Sequence, residues 1–337
     1  MKERLFFIDW MKALGMLLII IGHFTPPYLQ IITYSCSVQS FFFMSGFLFR
    51  REERMRDFAL KNIRTLLVPY YVWGILMLVS YNLQQRNWDV FLHSCGGLLL
   101  GCNNFIDARG CGELWFIVTL LWLKAFMQLG ENKKMIKVFI LFSVVLAVFY
   151  KNIKSGTQID YWGIGAFNVF VAYPFFAIGY FLSMYKKDIK KIVSVLEGLF
   201  WDISAFVLIM VAIMVVLIAP TNGLVHMVYG GYGRNIFLYL LIGALGILCM
   251  FFIAVALSRN KGLYKYARCI NTGSVMILGI HIGLINRIRP HLVSIFGNDG
   301  WMFELSIVFA SVLLLIAFVP MIRFVERYFP IALGYRK

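Results

Sequence analysis

The stretch from Asn235 to Leu257 holds no charged residue, and apolar runs of similar length recur along the whole chain. An α-helix needs about 20 mostly apolar residues to cross the hydrocarbon core of a bilayer. Composition points the same way, with 61% of residues hydrophobic, 17% aromatic and only 14% charged. A soluble domain of 337 residues has too little interior to hide that much apolar surface. The windows predict helices at 8–25, 29–49, 64–83, 114–129, 136–150, 167–185, 200–219, 235–257, 270–288 and 302–323. The fold class is therefore all-α, a polytopic membrane helix bundle of about ten transmembrane helices, forming a single unit over residues 1–337 with no soluble appendage. The shortest prediction is 136–150, and the run from Val90 to Phe105, with Gly96 and Gly97, reads as a re-entrant or interfacial piece.

The net charge of +16 suggests nucleic acid in a soluble protein, but here the basic residues sit in short clusters between apolar runs. Such clusters set membrane topology. Lys2 and Arg4, the group from Arg50 to Arg64, Lys133 to Lys137, Lys186 to Lys191, Arg259 to Arg268 and Arg323 to Lys337 fall on one side of an even number of crossings. The other side carries only Arg86, Arg109, Lys151, Lys154, Arg234, Arg287 and Arg289. This asymmetry places both termini in the cytoplasm and supports the fifth helix, because dropping it inverts every later loop. The first apolar run carries Asp9 and Lys12 and no small-residue cleavage site follows it, so it reads as a retained helix, not a signal peptide.

An ionisable residue inside a span costs a few kcal/mol unless it is paired or faces a polar cavity, so each marks a candidate site. Asp9 and Lys12 are three residues apart on the first helix and share a face near its cytoplasmic end. His23 lies fourteen residues beyond Asp9, roughly 21 Å along the axis. That separation excludes a dyad within the helix. His281 lies near the middle of the ninth helix.

The stretch RLFFIDWMKALGMLLIIIGH (Arg4–His23) resembles the opening of acyltransferase family 3. The resemblance continues through SFFFMSGFLF (Ser40–Phe49), KNIRTLLVPYYVWG (Lys61–Gly74), ELWFIVTLLW (Glu113–Trp122), YPFFAIGYFL (Tyr173–Leu182) and NTGSVMILGIHIGLI (Asn271–Ile285). It implies a membrane enzyme that moves an acetyl or similar acyl group from cytoplasmic acyl-CoA, with acetyl-CoA as co-substrate, to a hydroxyl of a cell-envelope, capsular or lipid-linked sugar. The setting it implies is a bacterial cell membrane, with membrane lipid as neighbour. Lys12 stands where many members carry arginine, which keeps the charge but loses the bidentate fork. Beside that resemblance, an imidazole at the outer end of a helix suits general-base work on a hydroxyl, which singles out His23, with His281 as acceptor-site or orienting group. Lys61 and Arg64, a basic-x-x-basic pair at the cytoplasmic entrance of the third helix, suit the phosphates of coenzyme A, with Lys12 and Asp9 nearby. Glu113, ahead of Trp115 at the predicted outer edge, is a candidate to orient an imidazole or bind a sugar hydroxyl.

Ser45 and Gly46 form a small-residue notch suited to close helix packing. Tyr161, Trp162, Trp88 and Trp301 fall where an interfacial aromatic belt is expected. Cys95, Cys102 and Cys111 share an outer segment, which leaves room for a disulfide, while Cys36, Cys249 and Cys269 are scattered without metal spacing. Neither a metal site nor nucleic-acid binding is expected. A transporter of a glycan or small polar molecule, with the same buried groups lining a path, is the competing class; paired inverted repeats would favour it, and the sequence has no convincing repeat.

Overall fold

The computed structural model describes residues 5–86, 88–101, 112–130, 133–154, 166–199 and 205–335. Among these residues every regular element is a helix. The chain opens with α1 (Phe6–His23), and a break at Ser35 and Cys36 divides the second crossing into α2 (Leu29–Tyr34) and α3 (Ser37–Leu48). Then α4 (Met55–Asn62) continues through a π-helical turn, Ile63–Leu67, into α5 (Val68–Gln85), followed by α6 (Trp88–Leu100), α7 (Trp115–Leu129) and α8 (Lys133–Lys154). Next come α9 (Ala166–Leu182), α10 (Lys186–Leu199), α11 (Ala205–Asn222) and α12 (Ile236–Ser258). The last three are α13 (Lys261–Thr272), α14 (Ser274–Phe296) and α15 (Trp301–Tyr328).

Among the described residues eight helical stretches are long and apolar enough to span a membrane, and the bent pair α13–α14, taken as one span, makes a ninth. The remaining predicted crossing, 114–129, is α7, which at 15 residues is the short one. The stretch predicted at 136–150 instead forms a helix of 22 residues. Its flanking lysines lie outside the apolar window yet within the helix. The stretch around Val90 forms α6, packed on α5, where the Tyr70 hydroxyl donates to the Leu98 carbonyl at 2.9 Å. Cys102, Cys111, Tyr161 and Trp162 lie outside the described residues, and Cys95 is a free thiol.

Helix α1 is the hub, packing against α2, α3, α12, α13, α14 and α15. Met11, Met16 and Ile20 are fully buried in it. Gly15 and Gly22 let Phe41 and Tyr34 lie directly on its backbone. The closest crossing joins α3 and α9: a Cβ on Gly46 would strike the Phe176 carbonyl, and one on Gly179 the Phe43 carbonyl. The SFFFMSGFLF and YPFFAIGYFL segments are thus two halves of a single contact, with the packing role read for Gly46.

The interruption between α13 and α14 has a packing cause. Gly273 sits at the break, an 80° bend, where Ile322 of α15 fills the space a side chain would need. The segment predicted as a basic loop, residues 259–269, is therefore a helix turned across the end of the bundle. Asn260 caps it, accepting from the Leu263 amide at 3.1 Å.

Candidate active site

The last residue of α1, His23, is half-buried, and its Nδ1 lies 2.8 Å from the Ile19 carbonyl one turn earlier. His281 of α14 has no exposed surface. Its Nδ1 lies 2.9 Å from the Ile277 carbonyl and 3.1 Å from that of Leu278. Carbonyl oxygens only accept, so each Nδ1 carries a proton. The His281 Nε2 then holds a lone pair, aimed at the His23 Nδ1 across 3.4 Å. The rings are almost perpendicular, with centroids 4.8 Å apart. His23 shares its Nδ1 proton between a carbonyl and a second imidazole, and its Nε2 is left as a lone pair free to accept a proton.

Three neighbours frame this pair. The Tyr34 ring lies 5.7 Å from that of His23 and 6.1 Å from that of His226, which sits in the segment between α11 and α12. That segment is pinned by Asn222, whose amide donates to the Tyr232 carbonyl at 2.9 Å and accepts from the Asn235 amide at 2.8 Å. On the other flank Arg289 of α14 donates to the Phe24 carbonyl at 3.0 Å and to Asn298 at 2.9 Å, closing the end of α1 directly after His23. Glu113 precedes α7 in a short 3-10 turn within electrostatic reach of Tyr34. Phe116 packs on Phe41, which rests on Gly15 midway along α1. Among the described residues Glu113 makes no hydrogen bond to either imidazole.

At the basic end of the bundle two adjoining cavities open, of about 380 and 620 Å³, sharing Lys12, Leu48, Arg50, Lys61 and Asn271. Asp9 lines the outer one together with Lys186, Lys187 and Lys190 of α10. Its carboxylate accepts from the Tyr264 hydroxyl at 2.6 Å and the Asn271 amide at 2.5 Å, so α13 fixes the base of α1. The inner cavity takes Ser45, Glu52, Asn62 and Lys124, and its deep end is walled by Phe41, Phe116 and Leu278. Lys61 is paired with Glu52, and Glu52 is held by reciprocal backbone bonds to the Gln128 side chain at 3.1 and 2.8 Å.

The structure brings together His23 with His281, and Asp9, Lys12 and Lys61 with one another, at opposite ends of α1. Arg64 lies in the π-helical turn, whose wider spacing breaks the i,i+3 alignment. It lines neither cavity, and its Nε is buried without a partner among the described residues. Lys124 is the residue that sequence reasoning missed, although a lysine between Leu123 and Ala125 inside an apolar run was a visible signal.

A membrane-embedded helical bundle with a basic cavity at one end and an interior imidazole pair toward the other defines the class. A family model described as an acyltransferase domain matches residues 5–320, and the chain belongs to acyltransferase family 3. It is a multi-pass membrane protein of an acyltransferase family. No curated protein and no solved structure matches it.

Proposed function

We propose that the protein is an O-acyltransferase that takes an acyl group, acetyl in the simplest case, from acyl-CoA held in the basic cavity and gives it to a sugar hydroxyl on the opposite side. The observation that carries this reading is the commitment of both Nδ1 protons, which leaves His23 Nε2 as a base. In the reaction the sugar oxygen attacks the thioester carbonyl while its proton passes to His23 Nε2. The tetrahedral intermediate collapses, the C–S bond breaks, and the imidazolium returns the proton to the departing thiolate, so atoms and charge balance. The transient imidazolium gains from the Ile19 carbonyl, from the His281 lone pair and from the negative end of the α1 dipole. His281 acts as a positioning residue that fixes the His23 tautomer, and Glu113 stands near enough to Tyr34 to shape the acceptor side. Lys12, Lys61 and Asp9 line the donor side, and no step calls for a metal.

The test is acetyl-CoA thioester cleavage by purified protein in detergent, with an envelope glycan fraction as acceptor. Acceptor-dependent cleavage is expected for the wild type, falling about 10²–10⁴-fold in His23→Ala with acetyl-CoA binding intact. Well-folded wild-type protein that neither binds nor cleaves any of several acyl-CoA donors would refute the reading, and flux of a glycan in vesicles would then mark a transporter.

A further inference from the structure

Lys124 differs from the other lysines at the basic end. It lies five residues from the end of α7, roughly 7.5 Å in along the axis. Its ammonium faces one neutral acceptor, the Asn62 Oδ1 at 3.4 Å. Asn62 is itself held in that orientation, because its amide donates to the Phe58 carbonyl at 2.8 Å. The charges that bear on Lys124 are those of Lys12 and Lys61, both of its own sign. Among the described residues no carboxylate pairs with it, and Glu52, which lines the same cavity, is bound to Lys61. A partly buried ammonium among like charges works against folding. An anion entering the cavity would supply the opposite charge that Lys124 lacks among the described residues.

The order of groups along the cavities says what that is. Lysines of α10 stand at the mouth, Lys12 and Lys124 further in, and the apolar walls of Phe41, Phe116 and Leu278 beyond them. His281 follows Leu278 within one turn of α14. Coenzyme A carries its groups in the same sequence: a ribose 3′-phosphate, a diphosphate, an uncharged pantetheine arm and the thioester.

Resting on the acyl-CoA reading above, we infer that Lys124 and Lys12 form an inner phosphate site for the diphosphate of acyl-CoA, and that Lys187 and Lys190 at the mouth take its 3′-phosphate. The inner site fixes how far the pantetheine arm reaches along α14 toward the histidine pair. The outer site distinguishes coenzyme A from its dephosphorylated form.

The experiment is calorimetric titration of the full chain in detergent with CoA, 3′-dephospho-CoA, pantetheine and inorganic pyrophosphate, alongside its thermal midpoint. Lys124→Met is expected to weaken CoA, 3′-dephospho-CoA and pyrophosphate about tenfold or more and to leave pantetheine unchanged. Lys124→Arg keeps the binding, and the double variant Lys187→Gln, Lys190→Gln weakens CoA alone. Because Lys124→Met removes a partly buried charge that no carboxylate pairs with among the described residues, its ligand-free midpoint stays equal or rises while the increment given by CoA shrinks. A merely structural lysine would lower that midpoint and weaken all four ligands together, which would overturn the inference, as would CoA binding within twofold of wild type. Wild-type protein that binds CoA, 3′-dephospho-CoA and pantetheine equally would overturn the phosphate sites and leave the acyl-CoA reading standing. Wild-type protein that binds none of them would remove the reading itself.

Discussion

Replacing Gly46 with alanine puts a methyl group where the backbone of α9 already runs. The added carbon would lie on the Phe176 carbonyl oxygen, 2.7 Å from its carbonyl carbon and 3.0 Å from its Cα. No rotamer relieves this, because a Cβ has none and the obstacle is main chain. The helices must part by about 1 Å, and a gap of that size forfeits a quarter to a half of each dispersion contact along the crossing. With the usual cost of overpacking, the loss comes to about 1–3 kcal/mol. The contact is reciprocal, since a Cβ on Gly179 would lie 2.9 Å from the Phe43 carbonyl carbon and 3.0 Å from the Phe47 amide. Gly179→Ala therefore carries a similar cost, and once either methyl has separated the helices the second enters space already opened. The double variant should lose about 1–2 kcal/mol less than the sum of the two singles. Reversible unfolding of the four proteins in mixed detergent micelles measures the cycle. Strict additivity, or a Gly46→Ala variant within about 0.5 kcal/mol of wild type, would refute the argument.

The remaining predictions concern the site and its supports. His281→Gln keeps an acceptor facing the His23 Nδ1 and should retain more transfer activity than His281→Leu, with acetyl-CoA affinity the same in both; equal activity of the two variants would count against the positioning role. Asp9→Asn should cost about 1–3 kcal/mol of stability through the Tyr264 and Asn271 bonds and raise the KM for acyl-CoA, read from melting curves and initial rates. Asn222→Ala leaves the Tyr232 carbonyl and the Asn235 amide unpaired and should cost about 1–3 kcal/mol, with impaired transfer but unchanged acyl-CoA binding, because the segment it pins carries His226 beside Tyr34.

Most of the bundle was legible because lipid imposes a one-dimensional rule: span length and flanking charge can be read along the chain without knowing what packs on what. The same rule explains the errors at the edges. The helix around 136–150 reads short because hydropathy stops at its lysines while the backbone does not. The α13 helix reads as a loop because Lys261, Lys265 and Arg268 mask an amphipathic face lying across the bundle end. The site was legible only as separate residues. His23 and His281 are 258 positions apart, and nothing in their local patterns announces that α14 brings one imidazole onto the other. The π-helical turn that carries Arg64 was not legible either, since it leaves no mark that a spacing argument can detect. Gly46 succeeded because a small residue amid phenylalanines has few explanations other than close approach.

The phenylalanines and leucine at the deep end of the inner cavity have a consequence for the cell that houses the protein. A water-filled vestibule reaching far into the bilayer is a hazard to ion gradients unless something interrupts the column. Phe41, Phe116 and Leu278 supply an apolar stretch beyond the lysines, and a hydrophobic constriction of that kind interrupts a water column by dewetting. An occupant passing an uncharged arm through that stretch would fill it without wetting it. On the proposed function, the membrane would keep its electrical resistance during transfer, and overexpressing the protein should leave the resting proton conductance of vesicles unchanged.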